Sequence, residues 1–535
     1  MSDRPLNPPA SSDRRRFLVA AGFGAANVVL LSRLGGSGTG STSVAASGAE
    51  GTDASTSPTS IVGVNEPAAL DAPPALADAG PAPGPDHVFD LLLTNGRVID
   101  PASGYDGPLE VGINDGVITA IQPPGGKAVE ILDVEGRVIA PGFIDLLSAE
   151  PNGYGEWFKV ADGVTTNLCM HGVNNYANAF FSRQEGMSPV HVGGAFHQHF
   201  LRGEDLGAAP DRALDEAQIA EFAELCRTSL ADGFAGICFS PEYSPGTTTA
   251  ELDALTAVAA EAGHSVYFHA RYSDPDEPGT SIEGLQEVID LARRHGVGAH
   301  IEHLTSTGGT FVMDQALALM ESARSDGLDL TACVYPYDYW ATTLGSFRFV
   351  GDWQARYRIT YENLEVAGTD RFLTESSFAA AQADNLLVAA IGSIPEADVE
   401  QALRTPWIML GSDGILTDGN NNHPRAAGTF ARTLGRYVRD KGTLGLVDAL
   451  AKMTIQPAQR VETMLPQMAR KGRLQRGADA DITVFDPGSV IDQATVSSPA
   501  SPSSGISDVF VMGQRVLASG QLDRSKVAGQ VLRSS

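Results

Sequence analysis

Residues 137–149 read Arg-Val-Ile-Ala-Pro-Gly-Phe-Ile-Asp-Leu-Leu-Ser-Ala. The first nine residues of this stretch are almost continuously apolar, and they predict a short strand that ends at Asp145. A strand that is apolar on both faces is typical of a parallel sheet whose faces are covered by helices. This stretch therefore places the chain in the α/β class.

Seven further apolar runs resemble it, and amphipathic helical patterns lie between several of them. The eight predicted strands are 137–145, 165–170, 191–196, 234–239, 265–269, 298–303, 328–335 and 407–411. The helical patterns cover 214–230, 250–262, 284–294 and 312–324. Eight such repeats predict a (β/α)8 TIM-like barrel. An open doubly wound sheet is the alternative, and it is disfavoured because no Gly-x-Gly-x-x-Gly turn follows the first strand.

Short strands that alternate apolar and polar residues occur at both ends of the folded region. They cover 90–100, 107–113, 116–121 and 131–134 near the start, and 480–485, 509–513 and 514–517 near the end. We therefore predict a small β-sandwich domain built from residues 88–138 and 465–525, with the barrel at 139–464.

The N-terminal region resembles a twin-arginine export signal. Arg14 and Arg15 precede Phe17 and a weakly apolar run over 19–31. That run is short for a membrane-spanning helix, which needs about 20 apolar residues, so no stable membrane span is expected. We predict a signal region at 1–49, a disordered linker rich in Gly, Ser, Ala and Pro at 50–87, and export to the periplasm or the extracellular space.

The chain has 535 residues and a formal net charge of −28 at pH 7. Such an acidic protein is repelled by nucleic acid and by anionic membranes, so a small-molecule substrate is expected instead. The four cysteines form no Cys-x-x-Cys pair and lie in apolar patterns, which indicates buried free thiols. Composition does not define an oligomeric state.

Chemically useful residues stand at the ends of three predicted strands: His269, His303 and Asp413. Active sites of such barrels lie at the C-terminal ends of the strands, so these side chains are expected to share one mouth. Neutral imidazoles bind zinc, and a carboxylate beside them can bind metal or act as a base. The pattern therefore predicts a metal-dependent hydrolase.

A set of motifs in a fixed order resembles the amidohydrolase superfamily, most closely its D-aminoacylase (N-acyl-D-amino-acid deacylase) branch. They are Leu93-Thr-Asn-Gly-Arg-Val-Ile-Asp100, Ala140-Pro-Gly-Phe-Ile-Asp145, Gly163-Val-Thr-Thr166, His269-Ala-Arg271, Glu302-His303, Tyr335-Pro-Tyr337, Gly411-Ser-Asp-Gly414, His423-Pro-Arg425 and Gly477-Ala-Asp-Ala-Asp-Ile-Thr-Val-Phe-Asp-Pro487. The resemblance implies zinc-dependent amide hydrolysis, with His269 and His303 as metal ligands and Asp413 as the catalytic carboxylate. It also implies substrate contacts from Arg271, Tyr337, His423 and Arg425, although a structural salt bridge is an equal alternative for each arginine.

The chain departs from that family at the end of its first predicted strand. The family has a His-x-His pair there, whereas this chain has Leu147 and Ala149, which cannot bind a metal. A ligand cysteine expected near Gly172 is also missing. Cys169 or His171 is the candidate substitute, and His171 is preferred because it lies nearer the strand end.

Two further departures concern strands three and four. His197 and His199 follow strand three, either as relocated metal ligands or, as we favour, as residues that line the pocket and contact substrate. Strand four has no bridging lysine at its end, and the nearby Glu242 is expected to be an exposed loop residue. A two-metal site is therefore not expected, and one zinc ion is predicted.

These observations predict an exported amidohydrolase that cleaves the C–N bond of a small N-acyl amino acid or related amide. One metal would be held by His269, His303 and His171, with Asp413 as the base. The alternatives are a degenerate barrel that binds a ligand without hydrolysing it, and an altered hydrolysis such as the opening of a lactone or cyclic imide.

Overall fold

The computed structural model describes residues 72–276 and 279–534. The predicted export signal and residues 50–71 of the predicted linker lie outside the described residues. Residues 72–87 form no helix or strand. They nevertheless contact the folded chain, because the Leu76 amide donates to the Arg476 carbonyl at 2.9 Å and an Arg476 guanidinium N–H donates to the Ala79 carbonyl at 3.0 Å.

The described residues contain twenty strands and thirteen α-helices. In chain order the strands are β1 (Val88–Asp100), β2 (Tyr105–Asn114), β3 (Val117–Gln122), β4 (Lys127–Asp133), β5 (Val138–Pro141), β6 (Phe143–Asp145), β7 (Val164–Val173), β8 (His191–His197), β9 (Gly236–Phe239), β10 (Ser265–Phe268), β11 (Ala299–Ile301), β12 (Leu330–Val334), β13 (Tyr339–Thr343), β14 (Leu364–Val366), β15 (Leu387–Ile391), β16 (Ile408–Leu410), β17 (Ile482–Phe485), β18 (Ile506–Val511), β19 (Gln514–Ala518) and β20 (Gln521–Leu522). The helices are α1 (Glu156–Ala161), α2 (Ala177–Gln184), α3 (Gln198–Leu206), α4 (Glu216–Ala231), α5 (Thr249–Ala262), α6 (Ser281–His295), α7 (Met313–Ser325), α8 (Trp353–Tyr357), α9 (Glu375–Ala383), α10 (Glu396–Arg404), α11 (Thr429–Arg432), α12 (Leu446–Met453) and α13 (Ile455–Val461).

Eight of these strands form a nearly closed parallel barrel, in the order β16-β12-β11-β10-β9-β8-β7-β6. Each of the eight apolar runs found in the sequence overlaps one of them, so the predicted (β/α)8 barrel is confirmed. Helices α4, α5, α6 and α7 fall on the four helical patterns of the sequence. Helix α6 shows why such a segment folds locally, because Thr280 and Glu283 form a capping box at its start.

The gap between β16 and β6 is closed by buried side chains. The Lys159 ammonium donates to the Asp145 carboxylate at 2.8 Å and to the Ser412 hydroxyl at 2.6 Å, and the Ser412 amide donates to Asp145 at 3.0 Å. The Asp413 amide also donates to the Leu147 carbonyl at 2.7 Å. The seam therefore fixes Asp413 against the segment in which the family's histidine pair is missing.

Both ends of the folded chain contribute to a second sheet of nine strands, in the order β20-β19-β18-β17-β5-β1-β2-β3, with β4 paired to β1. The strands predicted as a small β-sandwich thus form one continuous hydrogen-bonded sheet. Its apolar core includes Leu93, Val111, Ile118 and Ile482, all of them 2% exposed or less.

A three-stranded sheet, in the order β13-β15-β14, is inserted between β12 and β16. Its strands were not predicted from the sequence. The insertion carries Thr342 and Thr343 to the mouth of the barrel, where they line a cavity. Within the described part of the chain, no helix combines the length and apolarity needed to cross a bilayer.

Candidate active site

The C-terminal ends of the barrel strands bring the predicted residues together. His269 follows β10, His303 lies two residues beyond β11, and Asp413 lies three residues beyond β16. His303 and Asp413 have φ angles of 28° and 53°, a region that residues other than glycine rarely adopt. Backbone in such conformations is costly and clusters at functional sites.

The two histidines face each other. Nδ1 of His269 lies 3.1 Å from Nε2 of His303, and both side chains are buried. Burial lowers the pKa of each imidazole, which favours the neutral form that binds metal. Two nitrogens bound to one tetrahedral zinc at 2.0–2.1 Å would lie about 3.3 Å apart. The pair therefore fits a zinc ion.

Glu242 fixes the other ring nitrogen of His269. Its carboxylate lies 2.5 Å from Nε2 of His269, and it accepts hydrogen bonds from Arg348 at 3.0 Å and from the Tyr357 hydroxyl at 3.0 Å. The expectation that Glu242 is an exposed loop residue was wrong, since it is 9% exposed. Its position just after the fourth barrel strand is a signal that could have identified it.

Asp413 is held in an ion pair with Arg425. One oxygen, Oδ2, accepts from Arg425 at 2.6 Å, and the other, Oδ1, lies 3.9 Å from Nε2 of His303. Burial opposes ionisation, but His303 and Arg425 outweigh it and hold the pKa of the Asp413 carboxyl below its usual range. The Arg425 guanidinium also lies 3.8 Å from the centre of the Tyr335 ring. Arg425 therefore orients Asp413, and Oδ1 is the oxygen that faces the histidines.

His171, in the last part of β7, joins this group. His171, His303 and Asp413 each offer a ligand atom, and these atoms lie within 4.8 Å of one another. Nδ1 of His171 lies 2.6 Å from the Glu302 carboxylate. Burial opposes protonation, but the charge of Glu302 outweighs it and raises the pKa of His171 to about 9. The alternative substitute, Cys169, is fully buried and donates to the Gly172 carbonyl at 3.1 Å.

A cavity of about 460 Å³ opens beside His171. Its lining comprises His171, His197, His199, Pro210, Ser240, Tyr243, Thr342, Thr343, Gly345, Ser346, Phe347 and Asn385. His197 and His199 therefore lie where a substrate would contact them. Nδ1 of His197 is 2.7 Å from the Asn174 side-chain oxygen.

The structure does not bring the other predicted substrate contacts to this cavity. Arg271 is ion-paired with Glu287 at 2.9 Å and lines a different surface depression. Tyr337 is 1% exposed, with the Arg432 guanidinium over its ring. Nε2 of His423 lies 3.3 Å from the same Arg425 nitrogen that donates to Asp413. These residues support the site or lie outside it.

Several residues at the site were not identified from the sequence: Arg348, Tyr357, Cys238 and the role of Glu302. Arg348 and Tyr357 come from the insertion, and Arg348 meets Glu242 across 106 residues of chain. No local pattern signals such a pairing.

A parallel barrel that gathers imidazoles and a carboxylate at its strand ends defines the class of barrel hydrolases that work with a bound metal. Comparison with known proteins narrows this class. A model of the amidohydrolase family matches residues 185–517. The chain belongs to the amidohydrolase family.

Three relatives place it within that family. An N-acyl-D-glutamate deacylase of Alcaligenes xylosoxydans xylosoxydans is 31% identical over 83% of this chain and 96% of its own length. A D-aminoacylase of the same organism is 29% identical over 83% of this chain and 97% of its own. The crystal structure of N-acyl-D-glutamate deacylase from Bordetella bronchiseptica, complexed with zinc and a phosphonate inhibitor, is 26% identical with a TM-score of 0.70. It covers 84% of this chain and all (100%) of that one. The predicted D-aminoacylase-like branch, a group of hydrolases of C–N bonds other than peptide bonds, is confirmed.

Proposed function

We propose that this protein hydrolyses the amide bond of a small N-acyl amino acid or a related amide, with one zinc ion held by His269, His303 and His171. The observation that carries the proposal is the 3.1 Å approach of Nδ1 of His269 to Nε2 of His303, beside the free oxygen of Asp413. The relative from Bordetella bronchiseptica, which was crystallised with zinc, supports the choice of metal.

When bound, the zinc would polarise the amide carbonyl and make an attacking water more acidic. The other steps belong to this chain. Asp413 accepts the proton of the attacking water at Oδ1, because Oδ2 is occupied by Arg425. The same oxygen then delivers the proton to the leaving nitrogen. Arg425 holds the carboxylate in place and keeps it ionised before the reaction begins.

The charges around the mouth bear on the substrate. Two arginines lie near it, and each is engaged with a carboxylate of the protein: Arg348 with Glu242 and Arg425 with Asp413. Arg271, which lines a different surface depression, is paired with Glu287. The lining of the cavity contains imidazoles, hydroxyls and an amide, but no lysine or arginine among the described residues. A substrate whose side chain is uncharged and polar suits this lining better than an acidic one.

Export is part of the proposal and rests on Arg14, Arg15 and the following apolar run. The twin-arginine route carries proteins that are already folded, which suits a protein that binds its metal before it leaves the cytoplasm. Replacement of both arginines by lysine should retain the protein in the cytoplasm, as fractionation of expressing cells would show.

Metal analysis of the purified protein tests the catalytic proposal. Wild type should contain stoichiometric zinc, and His303→Ala should lose the zinc held beside His269 together with amidase activity. His295→Ala provides a matched control, because His295 pairs with Asp253 at 2.9 Å away from the mouth and should retain both. Folded wild-type protein that takes up no zinc would exclude the proposal.

That last result would favour a barrel that binds a ligand without hydrolysing it. The observation in favour of this alternative is that the chain is apolar just after β6, the first strand of the barrel. Leu147 is 1% exposed and packs so closely on Gly411 that a Cβ atom at Gly411 would lie 2.5 Å from that of Leu147. Binding of amides without turnover would then be the expected finding.

A further inference from the structure

A second group of ligand-type side chains lies beside the proposed zinc position. His171, Cys238 and Glu302 come from the second, fourth and sixth strands of the barrel, or directly follow them. Alternate strands of a (β/α)8 barrel contribute their inward side chains to one layer, which explains how distant parts of the chain meet here.

The geometry brings a nitrogen, a sulfur and a carboxylate together. Nδ1 of His171 lies 2.6 Å from one Glu302 oxygen, and the sulfur of Cys238 lies 3.6 Å from the other. The three ligand atoms lie within 4.8 Å of one another. Cys238 and Glu302 are both 0% exposed, so solvent does not satisfy them.

The charge of Glu302 has no lysine or arginine partner among the described residues. Some other buried carboxylates of the barrel do have one, as in the pairs Asp145–Lys159 and Glu251–Arg202. A buried carboxylate is costly unless a positive charge or a set of hydrogen bonds compensates it. Around Glu302 that compensation comes either from a protonated His171 or from a bound cation.

We propose that His171, Cys238 and Glu302 bind a divalent cation of the zinc class, at a position distinct from that between His269 and His303. A thiolate, an imidazole and a carboxylate are all zinc ligands, whereas sulfur is a poor ligand for calcium and magnesium. This cation would be a second metal bound by other residues, since Leu147 and Ala149 cannot supply the ligands that the family has at the end of the first strand. Because Nδ1 of His171 faces Glu302, only Nε2 of that ring is left for the zinc beside His303. The inference rests on the proposed function in one respect, which is that His171 is a ligand in both proposed sites.

Cobalt substitution of the full chain tests this site by a signal that does not depend on activity. Cobalt(II) bound to a thiolate has a sulfur-to-metal charge-transfer band in the near ultraviolet, and cobalt bound to imidazoles and carboxylates alone lacks it. Wild type and His303→Ala should both show the band. Cys238→Ser should lose it, and Glu302→Gln should lose it or require much more cobalt.

Cys226→Ser is the matched control, because Cys226 is buried in α4, outside the group, and its replacement should leave the band unchanged. X-ray absorption at the zinc edge of wild type needs no variant, and it should show sulfur at about 2.3 Å from the metal. Wild type that binds cobalt or zinc without a sulfur ligand, or a band that persists in folded Cys238→Ser, would overturn the inference. A sulfur band that survives in an inactive His303→Ala would support this site separately from the proposed catalytic one.

Discussion

Oε2 of Glu242 lies 2.5 Å from Nε2 of His269, on the side of the imidazole opposite His303. This contact fixes which ring nitrogen points to the metal position, since Nε2 is engaged and Nδ1 is left free. Arg348 and Tyr357 in turn hold Glu242, so the insertion between β12 and β16 contributes to the orientation of a metal ligand.

Glu242→Gln should therefore weaken zinc binding without removing a ligand. Loss of a carboxylate that orients a metal-binding histidine typically costs about 10–100-fold in metal affinity. Competition with a chromophoric chelator would measure the change. Glu287→Gln, which removes the partner of Arg271 away from the cavity, should leave the affinity as it is. Equal affinities in folded Glu242→Gln and wild type would show that the contact does not position His269.

The barrel could be predicted from sequence because its strands are buried on both faces and read as continuous apolar runs. His269, His303 and Asp413 could be predicted for the same reason, since the end of a buried strand is visible where the apolar run stops. The ion pair between Arg425 and Asp413 could not, because the same His423-Pro-Arg425 motif is compatible with an arginine that points at substrate.

Glu242 shows the other limit. A single glutamate in a Pro- and Ser-containing segment is typical of an exposed loop. The buried carboxylate of Glu242 is compensated by the positive charge of Arg348, which the insertion contributes. The group of His171, Cys238 and Glu302 is likewise a product of the layered packing of alternate strands. Contacts of this kind, between buried polar residues that are distant in sequence, leave no local sequence pattern.

The barrel seam makes a prediction about stability. Lys159 and Asp145 have side-chain exposures of 1% and 0%, so Lys159→Met should leave a buried carboxylate without its cation. Breaking a buried pair in this way costs about 3–5 kcal/mol in the free energy of unfolding. Urea denaturation would measure the loss. Lys127→Met breaks an ion pair whose side chains are 60% and 93% exposed, and it should cost less than about 1 kcal/mol. Similar costs for the two variants would mean that Lys159 does not hold the seam.

Glu156 makes a prediction about pH. Its side chain is 1% exposed, and burial raises the pKa of its carboxyl to about 8. The Ser188 hydroxyl lies 2.5 Å from Glu156 and 2.6 Å from the Val190 carbonyl, and it can donate to only one of them. A protonated Glu156 resolves this conflict, since it donates to Ser188 while Ser188 donates to Val190.

A carboxyl whose folded pKa is raised stabilises the fold fully below its unfolded pKa of about 4.3, and this contribution is lost as pH rises through about 8. Glu156→Gln should thus lie within about 1 kcal/mol of wild type near pH 5 and exceed its free energy of unfolding by roughly 5 kcal/mol near pH 9, since the pKa shift corresponds to about 1.4 kcal/mol per unit. Thermal denaturation at the two pH values would show the difference. Glu216→Gln, on the exposed first turn of α4, should show none. A Glu156→Gln variant that is less stable than wild type at both pH values would contradict the protonated state.

The absence of arginine and lysine from the described lining of the cavity predicts substrate preference. An N-acyl-D-glutamate, the substrate in the name of the deacylase that is 31% identical to this chain, would bring a side-chain carboxylate to a surface that has no free arginine or lysine among the described residues. Its uncompensated desolvation should lower kcat/KM at least about tenfold relative to an acylated amino acid with an uncharged polar side chain, since 1.4 kcal/mol corresponds to a factor of ten.

Thr342→Arg places a cation in the lining and should reduce or reverse the ratio of kcat/KM between the uncharged and the acidic substrate. Thr119→Arg adds the same charge in the small β domain and should not alter it. Steady-state rates on the paired substrates provide the measurement, and a wild type that prefers the acidic substrate would show that the lining does not select against charge.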